Sequence, residues 1–97
     1  MLRHVVLFKL KSDAPSGAVQ ALEEGLFQLP QSIPEIAAYE YGPDLGLRDG
    51  NFDFCLVAEF DSPESFERYV VHPDHQRFIA ERVTPVVAER VAVQYEL

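Results

Sequence analysis

The chain has 97 residues, 47% of them hydrophobic and 25% charged, which is the make-up of one globular domain spanning 1–97. A chain this long buries roughly 65% of its unfolded surface, so stability is marginal and a partner subunit would add to it. The formal net charge of −8, with no basic run, excludes nucleic acid and anionic membranes as expected partners, because nothing here would neutralise their phosphates.

Residues 2–11 alternate as a strand does. His4, Val6, Phe8 and Leu10 share one face, and Arg3, Val5, Leu7 and Lys9 share the other. Both faces are apolar at their centre, which predicts that both are covered. Ser12 or Asp13 is the expected cap of a first helix, with Pro15 in its first turn. Val19, Leu22, Leu26 and Leu29 recur at helical spacing, and Pro30 is expected to stop the helix. Gly25 inside it marks close packing, a pocket wall or a tolerated weak spot.

A second strand is predicted over about Glu35 to Tyr41, with Ala37, Tyr39 and Tyr41 on one face. Gly42 to Gly50 reads as a connection: it has glycines and prolines but no phosphate-loop spacing, lysine or following helix. Strand three runs from about Phe52 to Phe60, with Phe54, Leu56, Ala58 and Phe60 on one side. Asp61-Ser62-Pro63-Glu64 is a helix start, combining caps, an early proline and an acid near the positive end of the helix dipole. That helix carries Phe66, Tyr69 and Val70 inward and bends before Pro73, and a further helical segment covers about Asp74 to Val83. The last strand covers about Ala88 to Leu97, with Val91, Val93, Tyr95 and Leu97 alternating with Ala92, Gln94 and Glu96.

The order β-α-β-β-α(α)-β is the split βαβ pattern, an α+β ferredoxin-like fold: a four-stranded antiparallel sheet with its helices on one face. The other face carries too many apolar residues to stay open, so a symmetric homodimer through the sheet face is expected. Cys55 is the one cysteine, which excludes an intrachain disulfide and suits a reducing compartment. The apolar start, Val5 to Leu10, is broken by Lys9 and too short for a signal peptide, and no stretch reaches transmembrane length. A cytoplasmic location is expected.

The chemistry-bearing stretch is Tyr69-Val70-Val71-His72-Pro73-Asp74-His75, which holds two of the three histidines. Pro73 lacks a backbone donor and pushes His72 out of helical geometry, so the chain bends there. His75 then falls in the first turn of the next helix, where the dipole favours a neutral, base-competent imidazole. A neutral histidine near a tyrosine hydroxyl is a proton-transfer pair. The other reading is that His72 and His75 cap and satisfy a turn. A three-histidine metal site with His4 is not expected, because Pro73 spoils the regular helical spacing of His72 and His75. No cofactor is expected either.

These residues resemble the stress-responsive A/B barrel (Dabb) family. The resemblance rests on Arg3-His4-Val5-Val6-Leu7-Phe8-Lys9-Leu10-Lys11, Leu29-Pro30, Tyr41-Gly42-Pro43 and Glu59-Phe60-Asp61-Ser62-Pro63-Glu64, and above all on the Tyr-x-x-His-Pro-x-His run at 69–75. It covers essentially the whole chain. It implies a ferredoxin-like protomer whose sheets pair into a dimeric α/β barrel. One plant member of the family is a polyketide cyclase whose motif tyrosine and last motif histidine do acid/base work, and those positions match Tyr69 and His75. The resemblance thus implies Tyr69 and His75 as catalytic candidates; His4 and His72, the remaining histidines, are the expected binding residues. The expected function is a small-molecule pocket between helices and sheet, doing cofactor-independent acid/base chemistry on a polyketide-like or 1,3-dicarbonyl substrate. Other members carry the same run without a known reaction, so the alternative is a non-catalytic, stress-associated binding or structural homodimer.

Overall fold

Strands β1 (Leu2–Leu10), β2 (Ala38–Pro43), β3 (Phe54–Phe60) and β4 (Val87–Glu96) form one antiparallel sheet, ordered β2-β3-β1-β4, in a computed structural model that describes residues 1–97. Helices α1 (Ala18–Ser32), α2 (Pro63–Val71) and α3 (Pro73–Phe78) connect the strands, and a π-helical turn, Ile79–Val83, extends α3. This is the expected ferredoxin-like arrangement.

Alternation sets the two faces of the sheet. Leu2, His4, Val6 and Phe8 of β1 and Phe54, Leu56, Ala58 and Phe60 of β3 are buried under the helices. They oppose one another in register, Leu2 to Phe60 through Phe8 to Phe54, so each cross-strand pair adds to one core. Leu22 and Leu26 of α1 are fully buried against that layer, with Leu29 and Ile33 beside them. The opposite face carries Val5, Leu7, Cys55, Val57, Val91 and Val93 in adjacent register. It is rimmed by Arg3, which donates to Glu59 at 2.8 Å and to the Tyr95 hydroxyl at 3.0 Å.

Several boundaries differ from expectation. α1 does not stop at Pro30 but runs through it to Ser32, because Leu29 and Ile33 are both buried and hold the last turn in place. Pro30 forgoes one hydrogen bond, and the Ile33 N–H still reaches the Leu29 carbonyl at 2.9 Å. Nor do Ser12 or Asp13 cap it: they lie in a turn, and the helix opens after Gly17 with no side-chain cap. β2 begins at Ala38, since the Ile36 N–H is spent on a turn to the Ile33 carbonyl. β3 begins at Phe54, because Asp53 is turned toward β1, where its carboxylate accepts from the Leu10 N–H at 2.8 Å. The second start signal holds as read. Ser62 accepts from the Ser65 N–H at 3.1 Å, with Pro63 and Glu64 in the first turn of α2. Beyond α3 the Thr84 N–H bonds back five residues to the Ile79 carbonyl, the spacing of a π turn.

Candidate functional site

The bend at Pro73 builds the site. α2 ends at Val71, and His72 takes extended geometry (φ −63°, ψ 134°), as a residue before proline must. The His72 ring then caps α3, its Nδ1 accepting from the Asp74 N–H at 3.1 Å. The bend leaves the Val70 carbonyl without a helical partner. His75 Nδ1, at 3.2 Å, and Gln76 Nε2, at 2.6 Å, both donate to it. The same turn lays the His75 ring on Tyr69, with centroids 4.2 Å apart.

Because the carbonyl can only accept, the His75 ring proton sits on Nδ1 and the lone pair on Nε2. Burial is the main reason that the His75 pKa lies below the ordinary value. The Val70 hydrogen bond opposes this, and the positive charge of Arg90, then coupling to the His72 ring, reinforce it. Desolvation is thus the largest influence on this ring.

Between the sheet and α2–α3 lies a small, partly open cavity of about 90 Å³. His4, Val6, Phe66, Tyr69, His75 and Arg90 line it, and Phe8, Leu56, Val70, Phe78 and Ile79 close it. A larger hollow of about 530 Å³ between α1 and α3, beside Gly25 and Arg77, is polar and more open to solvent. The smaller cavity is the more apolar of the two, with a few convergent polar groups, and has room for a ligand of only a few heavy atoms.

His4 is 4% exposed, packs at a tilt against Phe66 with ring centroids 4.8 Å apart, and accepts on Nδ1 from the Gln94 amide at 2.8 Å. Burial, then the nearby charge of Arg90 and coupling to the His75 ring, drop its pKa to about 4. The Tyr69 hydroxyl lies 2.7 Å from the Tyr39 hydroxyl. Burial pushes the Tyr69 phenol up to about 12, although the Tyr39 hydrogen bond favours its ionised form. Burial holds Tyr39 far above the usual phenol range.

Of the residues singled out by sequence, Tyr69, His75 and His4 meet in the cavity. His72 does not line it, because its ring is engaged with α3. The three histidines therefore form no common ligand set, and no group of three His, Cys, Asp or Glu side chains has metal-holding geometry. Tyr39, Gln94 and Arg90 were missed. Their signal was only partial: alternation places Tyr39 on one face of β2, and Arg90 and Gln94 with Ala92 on one face of β4. Which face meets the helices depends on register.

The family profile described as the stress responsive A/B barrel domain matches residues 2–97. The chain belongs to that family. A stress-response A/B barrel domain-containing protein of Arabidopsis thaliana is 28% identical over 96 residues, covering 98% of this chain but 36% of that protein. A dimeric ferredoxin-like protein of unknown function from Thermobifida fusca is 41% identical with a TM-score of 0.91, over 99% of this chain and 90% of that one. The hydroxynitrile lyase of Passiflora edulis shares the A/B barrel fold at 23% identity and a TM-score of 0.85, over 99% of this chain and 92% of its own. No helix of this A/B barrel domain is long and apolar enough to cross a membrane.

Proposed function

We propose that this single domain is a homodimeric, small-molecule-binding protein whose cavity performs cofactor-independent proton transfer on a polyketide-like or 1,3-dicarbonyl substrate. The observation that carries this is the His75 ring: Nδ1 is committed to the Val70 carbonyl, and the ring packs on a buried phenol in an apolar cavity. His75 Nε2 takes the proton from the carbon between two carbonyls. The electron pair of that C–H bond passes to a carbonyl oxygen as an enolate, to which Tyr69 donates a hydrogen bond. His4, neutral and beside Phe66, shapes the wall and binds. A positioned base of this kind contributes roughly 10²–10⁴-fold. The fold is shared with a hydroxynitrile lyase, so a lyase on this scaffold has a precedent. The homodimer is supported by the dimeric relative from Thermobifida fusca and by the apolar open face. The acidic chain and its lone free cysteine fit a cytoplasmic protein that avoids polyanions.

The second reading is a non-catalytic, stress-associated homodimer, and it is favoured by one observation: both motif histidines hydrogen-bond the backbone around the bend. His72 belongs to this structural role and would affect binding only by placing α3. Deuterium exchange at C2 of methyl acetoacetate separates the two. Exchange accelerated by the wild type and lost in His75→Gln supports the catalytic reading. Equal rates with and without protein overturn it.

A further inference from the structure

Arg90 is a cation with nothing to hold. It stands on β4 opposite Phe8, on the face turned toward the helices, and lines the cavity with His4, Tyr69 and His75. The chain has eight lysines and arginines against sixteen acids. Arg3, Lys9, Arg68, Arg77 and Arg82 each lie within 4.0 Å of a carboxylate. Arg48 donates to a carbonyl, and Lys11 is solvent-exposed and lines neither the cavity nor the hollow beside Gly25. Arg90 alone combines a cavity-lining position with no ion pair and no hydrogen bond. Its nearest acid in sequence, Glu89, points to the opposite sheet face, opposite Lys9. The fork of a guanidinium matches a carboxylate in two parallel hydrogen bonds.

We infer that Arg90 is a specificity-determining residue that binds the carboxylate of an anionic substrate, so that the cavity takes 3-oxo acids in preference to their neutral esters or diketones. This rests on the cavity reading above and deepens it. The rim position leaves the acyl part of such an acid to the apolar wall of Val6, Phe66 and Ile79. The C2 methylene, one bond from the carboxylate, then lies between Arg90 and the histidines. The cation also favours a negatively charged bound species while keeping the neighbouring imidazoles neutral.

The test compares acetoacetate with methyl acetoacetate, which differ in the charge and one methyl group, by titrating each into the protein and following the His75 ring resonances. The wild type should bind acetoacetate about ten-fold tighter than the ester, and added salt should narrow that gap. Arg90→Gln should weaken acetoacetate about ten-fold and leave the ester within about two-fold. The arginine is exposed, so the variant keeps its fold, and an unchanged melting temperature verifies this. Equal affinity for the two compounds in the wild type, or equal loss of both in Arg90→Gln, overturns the carboxylate site while leaving the cavity reading intact. No saturable shift with either compound overturns both.

Discussion

The Tyr39 and Tyr69 hydroxyl oxygens lie 2.7 Å apart, which ties the edge strand β2 to the motif helix α2 at the cavity wall. Tyr69 is only 2% exposed and Tyr39 is half-buried, so the Tyr69 hydroxyl in particular has no water to fall back on. Tyr39→Phe removes one partner and leaves the other unsatisfied, a loss of about 1–3 kcal/mol. Tyr69→Phe should cost about the same, and the double variant less than the sum, since both report one bond. Urea unfolding of the four proteins measures this. Tyr39→Phe should also raise the Tyr69 pKa above its value of about 12, because the lost hydrogen bond favoured the phenolate. Additive losses would show that the hydroxyls act independently.

His4 makes the fold acid-sensitive. Its pKa falls from 6.5 to about 4 on folding, so the native state binds the proton less readily than the unfolded state. The stability of the neutral ring is complete above pH 6.5 and is lost as the pH falls toward 4. That loss is roughly 3 kcal/mol between pH 7 and pH 4. His75 shifts in the same direction and adds to it. His4→Gln keeps a neutral side chain at every pH and should flatten the acid limb relative to wild type. Parallel pH–stability curves would remove His4 as the cause.

Gly25 is a packing site. A Cβ there would lie 2.6 Å from two ring carbons of Phe78 and 2.7 Å from Arg82 Cδ. Arg82 is anchored by its 2.8 Å bond to the Ala21 carbonyl, and Phe78 is a cavity wall. The overpacking costs about 1–3 kcal/mol, against a helix-propensity gain of up to ~1. Gly25→Ala should therefore destabilise the protein in urea and crowd the cavity through Phe78. A gain in stability would mean that both neighbours move aside freely.

The open sheet face predicts the assembly. Val91 and Val93 are 46% and 55% exposed on a single protomer, beside Val5 and Leu7. Light scattering at micromolar concentration should give twice the 11.0 kDa chain mass. Val93→Asp buries an unpaired charge in that interface and should shift the mass toward 11.0 kDa. A wild type that is already monomeric contradicts sheet-to-sheet pairing.

Local signals carried most of the fold. Strict alternation in β1 and β3, and the Ser62-Pro63-Glu64 start of α2, depend on neighbours in sequence and were legible there. Pro30 was not, because the burial of Leu29 and Ile33 outweighs a local helix breaker, and burial is a long-range property. The motif likewise located the bend and the contact of Tyr69 with His75. It did not separate the roles of its two histidines: one caps α3 and the other enters the cavity. Tyr39 and Arg90 reach the site through strand register, which pairs Tyr39 with Ala58 and Arg90 with Phe8 across gaps that no local pattern spans.

The most direct measurement is the ¹⁵N spectrum of the His75 ring during titration with methyl acetoacetate, in wild type and in Tyr69→Phe. The expected result is a neutral, Nδ1-protonated ring whose Nε2 resonance shifts saturably with the ligand, with weaker binding in the variant. An Nε2-protonated ring, or one unmoved by the compound and indifferent to Tyr69, would contradict it and leave His75 as a structural clasp of the bend.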